Sequence, residues 1–357
     1  MTNRKVQHGQ YFTKNNPFYL NSFKEWFQLI PKKEKLLEPF AGTNNLLKMI
    51  NEIYGDFEFG SFDIDPPKEN FFKISKIIKQ DTLKNMPEGY DFIITNPPYL
   101  AKNSSTRKGF SWHKDNKYDD LYKFCLEKML DKYNFIAAII PESFIVANIF
   151  QDRLYGVISL TQEMFSDTDC PVGIALFVDR KTKKENKIFE NDFKIWQMEE
   201  YLGTKNELYE RSQKSLLSTN RTKVIFNDKN GKIGLLGVDN TKESTIKFIR
   251  GEHINSNNIK MTSRAITRIS IGYDLNNKDL DKIILKANQI LSDYRKDTKD
   301  VFMTAFKGLR QDGKYRRRLD FATAEKILNK SLEDLDLRHK NNLTIFMYDL
   351  NKKQSKL

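Results

Sequence analysis

This 357-residue chain is poor in the side chains that build metal centres and disulfide frameworks. It has two cysteines and four histidines, and neither type is spaced as zinc ligands are. Cys125 and Cys170 therefore indicate a reducing compartment, which we expect to be the cytoplasm, and we expect no metal. The chain also lacks an apolar run long enough to span a bilayer and a signal-peptide pattern, so we expect no membrane association.

The chain has no excess of acidic side chains, and its excess of basic side chains lies in the C-terminal half. The formal net charge is +13 at pH 7. Residues 1–180 carry 23 basic and 23 acidic side chains, whereas residues 181–357 carry 37 and 24. A basic half suits a polyanion partner, because phosphate contacts release counterions, although a lysine-rich solvated surface gives the same count. We predict two domains, residues 1–185 and 186–357.

The most informative motif follows an apolar run that ends at Thr95. It is Asn96-Pro97-Pro98-Tyr99, and we call these four residues the lip. In an open α/β sheet, ligands bind where such a strand ends. The Asn96 side-chain oxygen and the Pro97 carbonyl could accept both hydrogen bonds of an exocyclic adenine amine, and Tyr99 could stack on a base swung out of the duplex. A plain strand-ending turn is the alternative, because Asn-Pro dipeptides are common in turns.

Two earlier segments indicate a nucleotide-binding α/β unit. Residues 35–47 have the pattern of a strand, a tight turn at Gly42 and a helix start that Thr43 or Asn44 can cap. An alternating segment then ends at Asp63, about twenty residues on, which is the spacing of a ribose-binding acid. Asp81 follows the next apolar pair.

In this order the motifs resemble those of the S-adenosylmethionine-dependent amino-group DNA methyltransferases of the gamma group. The opening motif of that group is matched by Gly9-Gln10-Tyr11-Phe12-Thr13. The resemblance implies a Rossmann-like class I methyltransferase domain with a mostly parallel seven-stranded sheet and one antiparallel strand. It covers roughly the first half of the chain and favours N6-adenine chemistry, since Ser is commoner than Asn at the first lip position in cytosine-N4 enzymes.

The resemblance also implies roles for individual residues. Catalysis falls on Asn96, Pro97, Pro98, Tyr99 and a second base-stacking aromatic, Phe165, for which simple loop packing is the alternative. The expected cofactor contacts are Gln10, Tyr11, Phe12, Thr13, Glu38, Pro39, Ala41, Gly42, Asn45, Asp63, Ile64, Asp81, Asn96 and Pro98. One departure is Asn44, where the family usually has a second glycine. Asn tolerates a left-handed backbone, so cofactor binding should survive.

Between the lip and the next helical segment lies a long polar loop from Lys102 to Lys117. It is longer than most strand-to-helix connections. Its Arg107 and Lys108 are candidate DNA contacts if it folds over DNA; folding over the cofactor and simple mobility are the alternatives. Apolar spacing predicts a helix over 119–130, a strand over 135–140 and a strand over 172–178.

The second half is predicted to be a mixed α+β DNA-recognition domain. The pattern gives a charged linker or hairpin over 181–187, short strands near 235–238 and 246–251, and helices over 280–294 and 322–337. Between those helices we predict a DNA-contacting loop, because guanidinium and amide groups can read base edges. Its candidate contacts are Lys307, Arg310, Gln311, Lys314, Arg316, Arg317 and Arg318. Arg264 and Arg268, four apart, fit either a helix face or the flanks of a strand.

The function that these features predict is site-specific methylation of adenine N6 in double-stranded DNA by base flipping, within a restriction-modification system. A cognate endonuclease would be a separate chain. Methylation of RNA or of a protein glutamine amide uses the same lip and stays open. A non-catalytic nucleic-acid-binding subunit is the alternative from another class, although such a chain is expected to lose Asn96, Asp63 or Asp81.

Overall fold

The computed structural model describes residues 15–55, 57–102, 115–161, 170–272 and 275–337. They divide into two compact units, the first ending at Asn206 and the second beginning at Glu207. The observed boundary therefore lies later in the chain than the predicted one after residue 185, because two further strands complete the sheet of the first unit.

The first unit alternates strands and helices. Its strands are β1 (Lys35–Glu38), β2 (Glu58–Asp63), β3 (Ile78–Lys79), β4 (Phe92–Thr95), β5 (Ile136–Pro141), β6 (Leu154–Ser159), β7 (Val172–Phe177), β8 (Lys194–Gln197) and β9 (Glu200–Thr204). Its helices are α1 (Asn21–Gln28), α2 (Asn45–Tyr54), α3 (Leu121–Leu130) and α4 (Arg180–Glu185), with a 3₁₀ turn at Glu142–Val146. Helix α5 (Lys205–Leu216) follows at the unit boundary.

All of these strands belong to one sheet. Among the described residues its order is β3-β2-β1-β4-β5-β7-β6-β8-β9. The first five strands of that order are parallel, and β7 runs antiparallel to both β5 and β6. This confirms the predicted Rossmann-like arrangement with an antiparallel strand, except that β8 and β9 extend the sheet from seven strands to nine. The order reverses between β1 and β4, which places a ligand-binding crevice at their carboxyl ends.

The central strands are apolar throughout because helices cover them. Phe92, Ile93 and Ile94 of β4 are fully buried, as expected for a parallel strand covered on both faces. Helices α2 and α3 contact β4 and β5. Trp26 of α1 is also fully buried, and its indole Nε1 donates to the Phe177 carbonyl at 2.9 Å.

The segment predicted to be a linker or hairpin over 181–187 is instead helix α4. Asp179 caps it, because its Oδ1 accepts the Thr182 backbone N–H at 2.8 Å and its Oδ2 the Thr182 hydroxyl at 2.7 Å. Lys183 is buried and its ammonium donates to the carbonyls of Gln151 and Glu190. The prediction was wrong because a lysine-rich segment usually faces solvent, whereas the Lys183 side chain is buried and its ammonium binds two backbone carbonyls.

The second unit is a mixed α+β structure, as predicted. Its strands are β10 (Val224–Phe226), β11 (Ile233–Leu236), β12 (Lys247–Arg250), β13 (Ile266–Ile271), β14 (Thr304–Leu309) and β15 (Tyr315–Arg318). Its helices are α6 (Asn277–Thr298) and α7 (Phe321–Asp334), with 3₁₀ turns at Gly251–His253 and Ser256–Asn258.

The core of the second unit lies between its helices and an antiparallel sheet of order β10-β13-β11-β12. Leu235, Phe248 and Ile269 face Ile283 and Ile327 of the two helices within one apolar cluster. Strands β14 and β15 form a separate hairpin. In the described parts of both units, no helix combines the length and the apolar character needed to cross a bilayer.

Candidate active site

The Asn96-Pro97-Pro98-Tyr99 lip lies directly after β4, at the carboxyl edge of the sheet. Strand β4 is hydrogen-bonded between β1 and β5, so the lip borders the crevice at the point where the strand order reverses. Pro97 is buried, whereas Asn96 and Pro98 are half-buried. The structure thus brings the predicted catalytic motif to the place where this fold binds ligands.

Tyr99 points inward from the lip and contacts Asn96. Its hydroxyl oxygen lies 2.6 Å from Asn96 Oδ1 and 2.6 Å from the carbonyl oxygen of Ile139 on β5. Its ring is 9% exposed and packs edge-on against Tyr122 of α3, with the centroids 6.1 Å apart. In this conformation the ring is largely buried, and its single hydroxyl proton can be donated to either Asn96 Oδ1 or the Ile139 carbonyl.

The chain after the lip is tied back to the start of helix α3. The Leu100 N–H donates to Asp120 Oδ1 at 3.0 Å, and the Leu121 N–H donates to the Leu100 carbonyl at 3.1 Å. Lys102 donates from its backbone to the Asp119 carbonyl at 2.8 Å. Burial raises the pKa of Asp120 above its ordinary value. These bonds fix the base of the long polar loop, whose Arg107 and Lys108 lie outside the described residues.

Glu38 ends β1 beside the lip and is fully buried. Its Oε1 accepts the Thr95 hydroxyl at 2.6 Å and the Phe40 N–H at 3.0 Å. Burial raises the pKa of Glu38 to about 8, and the negative charge of Asp63 adds to the rise, while the two hydrogen bonds oppose it. A cation placed next to Glu38 would favour its ionised form.

The glycine turn is held by Asp63 at the end of β2. Gly42 has a left-handed φ of 51°. Its N–H donates to Asp63 Oδ2 at 3.0 Å, and the Asp65 N–H donates to Oδ1 at 2.8 Å. Two carboxylate oxygens accept about four hydrogen bonds in total, so Asp63 can anchor the turn and still bind ribose hydroxyls.

Asn44 occupies the position where the family usually has the second glycine of the turn. Its φ is 63°, in the left-handed region that Asn tolerates, as the sequence predicted. Its side chain is fully buried, accepts the Ser61 hydroxyl, and donates to Asn70 Oδ1 at 3.1 Å and to the Ser75 carbonyl at 3.0 Å. Asn44 therefore connects the glycine turn to the segment that follows β2.

The remaining predicted cofactor contacts surround the same crevice. Ala41 and Pro39 are buried, and the Pro39 carbonyl accepts the Thr82 hydroxyl at 3.0 Å. Asn45 is half-buried at the start of α2, and Ile64 is 48% exposed beside Asp63. Asp81 is half-buried and lies 3.1 Å from the Lys84 ammonium. Gln10, Tyr11, Phe12, Thr13 and the aromatic Phe165 lie outside the described residues.

The crevice has the donors and acceptors that S-adenosylmethionine would need. The buried Thr43 Oγ1, inside the glycine turn, has no hydrogen-bond partner among the described residues. Buried polar atoms rarely stay unpaired in a finished site, so this atom indicates a polar ligand. Glu38 and Asp63 provide negative charge for a cationic cofactor, and the exposed Ile64 offers an apolar surface for a base. The residues present therefore fit this cofactor.

Two of the predicted DNA contacts in the second unit are instead buried. Arg310 and Arg317 are 7% and 5% exposed. The Arg310 guanidinium pairs with Asp239 Oδ2 at 3.0 Å and with Asp312 Oδ2 at 2.7 Å. The Arg317 backbone N–H also donates to Asp239 Oδ2, at 3.1 Å. Because a buried, paired guanidinium cannot reach DNA, the prediction is wrong for these two arginines.

Asp239 is the centre of this interior network. Arg295 reaches it with two parallel hydrogen bonds, of 3.0 Å to Oδ1 and 2.9 Å to Oδ2. Burial acts to raise the pKa of Asp239, but the Arg295 contact and several backbone N–H groups hold it at about 2. Sequence analysis missed Asp239 because its partners lie far away along the chain and no local pattern marks it.

The other predicted contacts occupy the hairpin β14–β15. Arg316 donates from Nε to the Asp239 carbonyl at 2.8 Å and covers the Phe306 ring, and Arg318 is half-buried. Lys307, Gln311 and Lys314 are exposed near the hairpin end. Their role as DNA contacts stays a prediction. Within the described residues, no group of three or more His, Cys, Asp or Glu side chains is arranged to hold a metal ion.

Comparison with protein families identifies the first unit. Residues 9–167 match the family model described as Eco57I restriction-modification methylase. This segment is therefore similar to Eco57I-type restriction-modification methylases. The match contains the glycine turn, Asp63 at the end of β2, Asp81 after β3, and the lip, so the matched segment includes the candidate site. No curated protein matches the chain significantly.

Solved structures that are similar to part of this chain share little sequence identity with it. A protein described as a class I S-adenosylmethionine-dependent methyltransferase from Listeria monocytogenes is 18% identical, with a TM-score of 0.35 over 49% of this chain and 62% of that one. A type I restriction-modification methyltransferase subunit from Streptococcus thermophilus is 15% identical, with a TM-score of 0.36 over 52% and 47%. A protein described as an RNA methyltransferase from Pyrococcus horikoshii is 17% identical, with a TM-score of 0.35 over 49% and 90%. The chain thus spans less than two-thirds of the first two structures.

Proposed function

We propose that this protein transfers a methyl group from S-adenosylmethionine to N6 of adenine at specific sites in double-stranded DNA. The observation that carries the proposal is the Asn96-Pro97-Pro98-Tyr99 lip at the carboxyl end of β4, within an Eco57I-type methylase domain. S-adenosylmethionine is the cofactor. When bound, it supplies an electrophilic methyl group.

The lip would activate a weak nucleophile. The lone pair of the adenine amine is delocalised into the ring, and accepting hydrogen bonds from both N–H groups returns electron density to nitrogen. Asn96 Oδ1 and the Pro97 carbonyl oxygen supply two acceptors, and the prolines fix their own φ angles. The acceptors are therefore positioned before the base arrives, which lowers the barrier without a metal or a covalent enzyme intermediate.

The base would have to leave the duplex to reach this crevice, because the amine is inaccessible inside the stack. Tyr99, three residues after Asn96 on the same lip, is the aromatic residue that we propose to stack on the everted base. Proton loss from the amine goes to water or to a weak base after methyl transfer begins. Asp63 holds the glycine turn, and Glu38, in its ionised form, would place a second negative charge near the cationic cofactor.

Duplex DNA is the proposed substrate because of the charge distribution. The basic excess lies after residue 180, and phosphate contacts by such a unit supply affinity. We assign recognition of the DNA sequence to the unit that begins at Glu207, and catalysis to the unit that ends at Asn206. We further propose a cytoplasmic protein that protects DNA from a cognate endonuclease on a separate chain.

One assay separates this function from its rivals. Labelled S-adenosylmethionine is offered with duplex DNA, structured RNA or ribosomal protein, and the labelled product is collected. We expect label in duplex DNA, and sequencing of DNA from a host that expresses the chain should report N6-methyladenine at one recognition sequence. Label only in RNA or protein would refute the DNA assignment, and failure to bind the cofactor by calorimetry would favour a non-catalytic subunit.

A further inference from the structure

The connection between β12 and β13 carries an unusually exposed turn. It runs from Lys260 to Arg264, and Met261 at its tip is 91% exposed. Lys260, Thr262 and Arg264 are exposed as well. Met261 is the most exposed large apolar side chain among the described residues; a single exposed apolar residue is ordinary, so its role is decided by the groups around it.

The turn is anchored by the rest of the unit. The Asn227 side chain donates from Nδ2 to the carbonyls of Met261, at 2.9 Å, and Ser263, at 3.2 Å. Inside the turn, the Lys260 N–H donates to Ser263 Oγ at 2.9 Å. Ile259, just before it, is 4% exposed. Because these contacts fix the backbone on both sides of the tip, Met261 is presented in one position.

Arg268 fixes the other end of the connection. Its Nε donates to the Ile254 carbonyl at 2.9 Å, and its Nη1 donates to the Lys229 carbonyl at 2.8 Å. Arg268 lies on β13 and is therefore a structural residue, whereas Arg264, four positions earlier, stays at the surface. Of the two possibilities that the sequence left open for this pair, the strand is the one observed.

The cations of the turn are not neutralised by acids. The 21 residues from His253 to Tyr273 contain no Asp or Glu but include Lys260, Arg264 and Arg268. In the part of the chain that the structure describes, neither Lys260 nor Arg264 has a carboxylate within ion-pair distance. The turn is therefore a local positive surface.

Arg264 is also held in place by aromatic rings. Its guanidinium lies 5.2 Å from the centroid of the Phe321 ring, which stacks on Phe226 at 4.2 Å with an interplanar angle of 7°. A guanidinium stacked by one face keeps its N–H edge available for an oxyanion. Its position is thus fixed while its hydrogen-bond donors remain usable.

An apolar tip flanked by two exposed cations matches one kind of partner. Proteins that distort DNA insert Met, Leu, Ile or Phe against base steps while Lys and Arg bind the neighbouring phosphates. We propose that the Lys260–Arg264 turn is a contact surface for duplex DNA, with Met261 inserted against base edges and Lys260 and Arg264 on flanking phosphates. This inference rests on the proposed function. It assigns DNA contacts to the turn in place of Arg310 and Arg317, which are buried.

The test measures binding of the full chain to a fluorescent duplex taken from the methylated sequence, over a range of salt concentrations. In the Lys260→Ala/Arg264→Ala double variant, the slope of log Kd against log salt should fall by about 1.8, since each phosphate contact contributes about 0.9. Met261→Ala should raise Kd about fivefold with an unchanged slope, because it removes apolar burial and no charge.

Two variants on helix α6 serve as matched controls. Lys282→Ala removes an exposed cation that lies 3.9 Å from Asp279, and Leu285→Ala removes an apolar side chain that is 76% exposed. Both should bind DNA as the unmodified protein does. If the controls change Kd as much as the turn variants, or if the turn variants keep the unmodified Kd and slope, the turn is not a DNA surface.

The failure of this inference differs from failure of the proposed function. An unmodified protein that methylates duplex DNA, with turn variants that bind it equally well, overturns only the surface. An unmodified protein that methylates RNA or protein but no duplex DNA overturns the proposed function, and this surface with it.

Discussion

Replacing Tyr99 by Phe tests how the lip holds its catalytic amide. The substitution keeps the ring that would stack on a base and removes only the hydroxyl, which lies 2.6 Å from both Asn96 Oδ1 and the Ile139 carbonyl. Without it, the Asn96 side chain loses one of the contacts that orient it. We therefore expect slower methyl transfer with cofactor affinity unchanged.

The size of the effect follows from one hydrogen bond. A typical bond contributes ~0.5–1.5 kcal/mol net, and ~1.4 kcal/mol is a factor of ten in rate or equilibrium. If the contact matters equally in the transition state, the single-turnover rate in Tyr99→Phe falls about two- to tenfold. Tyr99→Ala should lose more, because it also removes the stacking surface, which is worth ~1–3 kcal/mol.

Tyr133→Phe is the matched control. Tyr133 is 5% exposed and its hydroxyl donates to the Pro87 carbonyl. Pro87 and Tyr133 precede β4 and β5, so this bond lies at the amino ends of the strands, whereas the lip follows the carboxyl end of β4. The Tyr133→Phe variant therefore loses a similar hydrogen bond at the amino ends of the strands. Single-turnover transfer to a duplex, calorimetric cofactor binding and thermal stability are measured for the unmodified protein and for the three variants Tyr99→Phe, Tyr99→Ala and Tyr133→Phe.

Two results would refute the positioning role of the hydroxyl. One is a Tyr99→Phe protein that transfers methyl groups at the unmodified rate. The other is an equal loss of rate in Tyr99→Phe and Tyr133→Phe with a matching drop in melting temperature, because the effect would then come from stability. A fall in rate confined to Tyr99→Phe, with an unchanged Kd for the cofactor, supports it.

Three further predictions follow from the described contacts. Asn96→Ala should lower methyl transfer about a hundredfold or more while calorimetry still detects cofactor binding; near-normal activity would exclude Asn96 from the mechanism. Protonated Glu38 stabilises the cofactor-free fold fully below pH 4.5, and this contribution is lost as pH rises to about 8, at ~1.4 kcal/mol per pH unit. Urea unfolding should show this loss in the unmodified protein but not in Glu38→Gln, and a cationic cofactor should bind more tightly as pH rises to about 8; parallel pH profiles would contradict it. Asp239→Ala should cost ~3–5 kcal/mol in the free energy of unfolding, since it leaves the guanidinium groups of Arg295 and Arg310 in the interior without their central partner. Asp281, whose side chain is 58% exposed in its pair with Arg250, is the control, and Asp281→Ala should cost far less. Equal losses in the two variants would show that burial of the network does not matter.

Much of the first unit was predictable because its signals are local. The apolar strand before Asn96, the glycine turn at Gly42 and the acid at Asp63 each follow from side chains close together in sequence. Parallel strands then align their carboxyl ends at one edge, so residues far apart in the chain converge without any further signal. Asn44 is a similar case, because its left-handed backbone follows from the residue type itself.

The tertiary structure decided everything that depends on distant partners. Arg310 and Arg317 look like DNA contacts in the sequence, yet both side chains are buried, and the Arg310 guanidinium pairs with Asp239, some seventy residues earlier. The orientation of Tyr99 was likewise set by a carbonyl on β5, forty residues away. Sequence fixes the propensity and the charge of a segment, but whether a charged side chain faces water or a buried carboxylate depends on which element packs opposite it.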